Sequence, residues 1–138
     1  MDKNKTYKTI YILLMIAFSL GVLVGCAAKL PEGFDEADVK AEAENVIRLL
    51  DHRDMDGLTN ILTEEMKAGL TEEVMAQIFS VLDESGSVET IEEMKTGGST
   101  QNDITYAVVV AKVKHENREL TYTISFDSEM KLAGLFFK

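Results

Sequence analysis

The chain has 138 residues, 46% hydrophobic and 28% charged, with a single proline, a balance that fits one folded domain and excludes a disordered chain, which needs low hydrophobicity. A net charge of −10 argues against a nucleic-acid partner. One cysteine and no tryptophan rule out an intramolecular disulfide, a multi-cysteine metal centre and a Trp-lined cage, and nothing in the composition calls for a cofactor.

Residues 1–8 are basic through Lys3, Lys5 and Lys8, and residues 9–24 carry no charge. That apolar run of 16 residues is shorter than the roughly 20 a membrane-spanning helix needs, and a basic start with a short apolar core is the pattern of a secretory signal peptide. It ends in Leu23-Val24-Gly25-Cys26. These residues resemble the bacterial lipobox. The resemblance implies cleavage between Gly25 and Cys26, a diacylglycerol on the Cys26 sulfur, and an extracytoplasmic chain anchored by lipid to the outer leaflet of the bacterial cell membrane. One acyl chain binds a membrane marginally, whereas two hold it stably. The expected division is therefore a removed signal peptide (1–25), a lipidated N-terminus and short tether (26–34) and a folded domain (35–138). Removing residues 1–25 takes away three lysines and one aspartate, leaving a net charge of −12. That excess should hold the domain off an anionic surface.

After the tether, Val39, Ala43, Val46, Ile47 and Leu50 recur at helical spacing, with Asp35 or Asp38 available as cap. Leu58, Ile61 and Leu62 predict a shorter second helix capped by Asp54 or Asp56. Thr71, followed by Glu72 and Glu73, opens a third helix whose stripe is Val74, Ile78, Val81 and Leu82 and which ends at Ser85-Gly86-Ser87.

From Val88 the period changes to two. Residues 88–96 predict the weakest strand, with Gly97-Gly98 as its exit. Residues 106–111 are apolar on both faces, the mark of a central or doubly covered strand. In the next strand Leu120, Tyr122, Ile124 and Phe126 alternate with polar residues, and residues 131–137 close the sheet. Turns at 116–118 and 127–129 suit antiparallel hairpins. The prediction is an α+β fold, three helices packed on one face of a curved, about four-stranded antiparallel sheet. Charge divides at the same boundary, with 18 acidic and 4 basic side chains in residues 32–93 against 5 and 6 in residues 94–138.

Residues 46–62 (VIRLLDHRDMDGLTNIL) and 121–137 (TYTISFDSEMKLAGLFF) resemble a bacterial family, domain of unknown function 3887. The helices-first order is similar to the cystatin-like cone of the nuclear transport factor 2-like superfamily. The family resemblance brings no shared catalytic residues. Cone-type enzymes of the wider superfamily place an acid or base in the cavity, which here makes Tyr106, Tyr122 and Phe126 possible cavity-lining residues, with Asp127 as a carboxylate candidate. Core packing with one hydrogen bond is the plainer expectation for the tyrosines.

Other chemistry finds little footing. Asp54-Met55-Asp56-Gly57 would place His52 and Thr63 at the first and twelfth positions of an EF-hand, where carboxylates belong, so a helix corner is expected. His52 and His115 lack an i, i+4 partner and are expected on the surface. No GxSxG elbow occurs, and Gly97-Gly98-Ser99-Thr100 lacks the lysine of a phosphate loop. Either Val108 and Val110 or Ala107, Val109 and Ala111 must face away from the helices, together with part of Leu132, Leu135, Phe136 and Phe137; that area suits a ligand cavity or a second copy. The leading expectation is a lipid-anchored, non-enzymatic domain that binds a small apolar ligand or a partner protein. The alternatives are sheet-mediated dimerisation as an accessory to an envelope protein, and an enzyme with its site in the cone.

Overall fold

The computed structural model describes residues 29–138; the expected signal peptide (1–25), with Gly25 and Cys26 at its cleavage site, lies outside the described residues. Four helices come first, α1 (Glu36–Asp51), α2 (Met55–Ile61), α3 (Glu64–Gly69) and α4 (Glu72–Ser85), followed by β1 (Val88–Gln101), β2 (Ile104–His115), β3 (Glu119–Phe126) and β4 (Leu132–Phe137). The strands form one open antiparallel sheet in the order β1-β2-β3-β4. This is the expected α+β layout with one helix more.

Each helix begins where a short polar side chain can take a free backbone N–H. Asp35 accepts from the amides of Ala37 and Asp38 at 2.9 and 3.1 Å. Asp54 accepts from Gly57 at 2.9 Å, Thr63 from Met66 at 3.2 Å and Thr71 from Val74 at 3.3 Å. The α1 stripe is buried as predicted, Val39, Ala43, Val46, Ile47 and Leu50 all at 2% exposure or less. Asp54-Met55-Asp56-Gly57 is the first turn of α2. The unpredicted α3 carries one core-facing residue, Met66, too few for a period. In α4 the predicted Ile78 and Leu82 face the core, and the buried side extends to Met75 and Phe79 instead of Val74 and Val81. Met75 and Leu82 are buried and Ile78 and Phe79 pack on the core, while Val74 and Val81 are only half-buried.

Alternate residues of the central strands fill the inner face. Ala107, Val109, Ala111 and Val113 of β2 and Leu120, Tyr122, Ile124 and Phe126 of β3 are 2% exposed or less. The outer face therefore takes Val108 and Val110, which decides the alternative left open by the sequence. Strand β1 does not exit at Gly97-Gly98. Those glycines pair with Val108 and Ala107, and the strand runs on to Gln101. The turn comes at Asn102 and Asp103, both with positive φ (49° and 64°), a two-residue hairpin connection of the kind such residues favour. Gly98 is needed for a close approach: a Cβ there would lie 2.7 Å from the Pro31 ring and 3.0 Å from the Lys29 carbonyl. At the other edge, the Thr63 amide donates to Leu132 at 3.0 Å and ties the α2–α3 junction to β4.

Candidate functional site

Helix α1 lies against the sheet from beside β1, its last residue reaching the first of the strand: the Val88 amide donates to Asp51 Oδ1 at 3.0 Å. Between the two runs an open groove of about 430 Å³ lined by Ala41, Glu44, Asn45, Ile47, Arg48, Asp51, Val88 and Ile91. Its floor is apolar through Ile47, Val88 and Ile91. Its rim is polar, with Asn45 as hinge: Asn45 donates to Glu42 at 3.1 Å and accepts from Arg48 at 2.6 Å. Beside the groove lies β1, paired on one side only.

Behind this groove a polar cluster is sealed into the core. His115, expected on the surface, is 2% exposed. Strand β2 continues further than the turn signal suggested, and His115 falls on the inner parity with Val113. Its Nδ1 lies 2.7 Å from the Gly86 carbonyl. A carbonyl only accepts, so Nδ1 carries the proton, and Nε2 then accepts from the Tyr122 hydroxyl at 3.0 Å. The two rings stack at 6.0 Å, and Phe137 lies 5.3 Å from Tyr122 on its other side. Burial pushes the Tyr122 hydroxyl above its ordinary range, the Asp51 carboxylate adds to this, and Arg53 opposes it. Arg53 itself stands over the Phe79 ring at 5.0 Å and pairs with Asp83, joining the end of α1 to α4. With Tyr122 1% exposed, the pair is out of reach of a substrate and acts as a lock between β2, β3 and the turn after α4.

The proposed cavity residues do not converge. Tyr122 and Phe126 lie on the inner face and are packed to 1% and 0% exposure. Tyr106 pairs with Ser99 and shares the outer face with Val108 and Val110. Asp127 is occupied at the β3–β4 turn, where one carboxylate oxygen accepts from the amides of Glu129 and Lys131 at 2.9 Å each. His52 caps the end of α1 and is exposed. Sequence reasoning missed the groove, because Ile91 and Val88 belong to the strand with the weakest pattern and meet α1 only in the folded chain.

The family model described as a protein of unknown function, DUF3887, matches residues 43–135. The chain belongs to this family. The match takes in α1 from Ala43, all of α2–α4 and the sheet as far as Leu135, so every lining residue of the groove except Ala41 falls within the DUF3887 match. Among solved structures, the domain is similar to an NMR structure of a protein from Ruminococcus gnavus ATCC 29149, at 25% identity and a TM-score of 0.70, over 78% of this chain and 95% of that one. No curated protein matches.

Proposed function

We propose that this DUF3887 chain is a lipid-anchored extracytoplasmic binding module without catalytic activity, and that it takes an extended segment of a partner protein into the groove between α1 and β1. The observation that carries this reading is the contrast between interior and groove. The inner positions that would line a cone cavity are filled by Tyr122, Phe126 and their neighbours, whereas the groove is open and apolar at its floor. An edge strand offers backbone donors and acceptors to an added strand, and a neighbouring groove gives alternate side chains a place to bind. Glu44, Arg48 and Asp51 on the rim would then select by charge. The helix-first order and open antiparallel sheet support assigning the domain to the nuclear transport factor 2-like cones. The anchoring part rests on Leu23-Val24-Gly25-Cys26.

Native mass spectrometry of residues 27–138 purified from cells tests the binding part. A bound mass that disappears in Ile91→Arg is the expected result, and a bare monomer in both chains counts against it. Cys26→Ser tests the anchor: it should abolish labelling by a radioactive fatty acid and leave unprocessed precursor, and continued labelling refutes lipidation at that cysteine.

A further inference from the structure

The floor of the groove is made by an irregularity of the edge strand. In a regular strand, residues three apart point to opposite faces. Val88 and Ile91 nevertheless both line the groove, because the register of β1 slips between Val88 and Thr90 and leaves Glu89 as an extra residue. Val88 stands opposite His115 and Ile91 opposite Val113, both on the inner parity. A second slip, between Ile91 and Glu93, sets Glu92 aside in the same way. Such bulges re-aim side chains and interrupt the ladder, so this end of β1 cannot zip with a long regular strand. Recognition falls to side chains seated over a short length.

The rim decides their chemistry. Glu44 and Asp51 lie seven residues apart on α1, two helical turns or about 10.5 Å along one side, with Arg48 between them. Arg48 neutralises neither. Its guanidinium donates to Asn45 Oδ1 at 2.6 Å, and no ion pair among the described residues includes Glu44 or Asp51. Asp51 commits one oxygen, Oδ1, to the Val88 amide. The other cations of the helical half are taken as well, Lys40 by Glu36 at 2.7 Å, Lys67 by Glu64 at 2.7 Å and Arg53 by Asp83. Against 18 acidic side chains in residues 32–93, these four leave the surface round the groove with an unanswered negative charge.

We propose that the partner segment seated in this groove is short and cationic: an apolar residue with a lysine or arginine two positions to either side. This rests on the groove being the binding site and names what that site selects. In an extended segment alternate side chains share one face. The central apolar side chain then enters between Ile47, Val88 and Ile91, while the flanking pair, about 13 Å apart at a strand's rise, turns to Glu44 and Asp51. Long flexible stems let the cationic heads close the difference from the spacing of the carboxylates. The pattern is the same in both chain directions. An acidic segment would meet uncompensated carboxylates at both ends, which turns the rim against it. Exposed charge pairs are individually weak and screened by salt, so the apolar residue supplies contact and the pair supplies choice.

The test titrates the full chain, labelled with nitrogen-15 and purified in detergent micelles, with three heptapeptides: Ser-Lys-Thr-Ile-Thr-Lys-Ser and its counterparts with glutamine or glutamate at both lysine positions. The backbone amides of Val88 and Ile91 and the side-chain amide of Asn45 report the groove by nuclear magnetic resonance. The lysine peptide should move these resonances and bind roughly fivefold more tightly than the glutamine peptide. The glutamate peptide should be weakest, and the gap should close in about 0.5 M salt. In Glu44→Gln, a change at an exposed position of α1, the lysine preference should fall about twofold. Equal binding of all three peptides at the groove overturns the cationic selection and leaves the binding module standing. Lysine-peptide shifts that persist in Ile91→Arg, or that fall elsewhere on the acidic helices, also overturn it. If no peptide moves the groove resonances the proposal fails, and native mass spectra of wild type and Ile91→Arg then tell whether the groove itself fails with it: a bound mass lost in the variant keeps the groove, and its absence from both removes it.

Discussion

Tyr122→Phe should cost stability at neutral pH and repay it in alkali. The substitution keeps the ring between His115 and Phe137 and removes only the hydroxyl. His115 Nε2 then loses the donor it accepts from, inside the core, and a buried acceptor left unpaired costs on the order of 1–3 kcal/mol. Taking ~2 kcal/mol, the wild type begins ahead by that amount. The Tyr122 hydroxyl is pushed above its ordinary value of 10.0, by burial first and by Asp51 second. Its folded-state pKa is raised, so its contribution is intact below the unfolded value and falls as pH rises past it. There the unfolded chain releases a proton that the folded chain keeps, and stability drops by about 1.4 kcal/mol per pH unit. The loss reaches about 1.4 kcal/mol at pH 11 and about 2 kcal/mol near pH 11.5, where the two proteins should become equally stable. Urea unfolding followed by circular dichroism from pH 8 to 11.5 measures this. The difference between the two proteins cancels the titration of every lysine common to both. A difference that stays constant across that range would refute the sealed Tyr122–His115 pair.

Two further substitutions test packing. Ser125 Oγ is buried without a hydrogen-bond partner, so Ser125→Ala removes an unsatisfied group and should be neutral or raise stability by up to ~1 kcal/mol; a loss of more than that in thermal unfolding would show that the hydroxyl has a partner. Gly57→Ala should destabilise by about 1–3 kcal/mol, because the new Cβ would lie 2.6 Å from Leu49 Cδ2 and 2.7 Å from the Asp54 carboxylate that caps α2. An unchanged denaturation midpoint would mean that α2 can shift away from α1 freely.

What was legible in the sequence was what repeats. The α1 stripe and the inward set Leu120, Tyr122, Ile124 and Phe126 were readable because burial there follows the period of the element. Local capping chemistry was readable too, at Asp35, Asp54 and Thr71. What escaped depends on contacts between distant segments. Helix α3 has no stripe, since a single turn needs only Met66 inside and the Thr63 cap. Of the α4 stripe, Ile78 and Leu82 were placed correctly, but Val74 and Val81 lie on the flank of the helix, and only the packed structure shows that Met75 and Phe79 point inward. His115 looked like a turn residue because Glu116-Asn117-Arg118 follows it. Counting parity forward from Val113 would have placed it inside.

Gly97 and Gly98 show why residue type alone can mislead. Paired glycines weaken a strand through backbone entropy and commonly mark its end, and an exit is the natural local reading. The strand runs on because β2 holds its whole length in register, from Val88 opposite His115 to Gln101 opposite Ile104. Gly98 is small because the chain entering from Lys29 to Pro31 crosses it. The local signal was therefore tertiary in origin: it recorded where the N-terminal segment meets the sheet. A Gly98→Val chain, whose side chain cannot fit under Pro31, should therefore be less stable by about 1–3 kcal/mol, read as a lower urea midpoint with the sheet's circular dichroism retained. An unchanged midpoint would mean that the segment from Lys29 to Pro31 lifts off the sheet without cost.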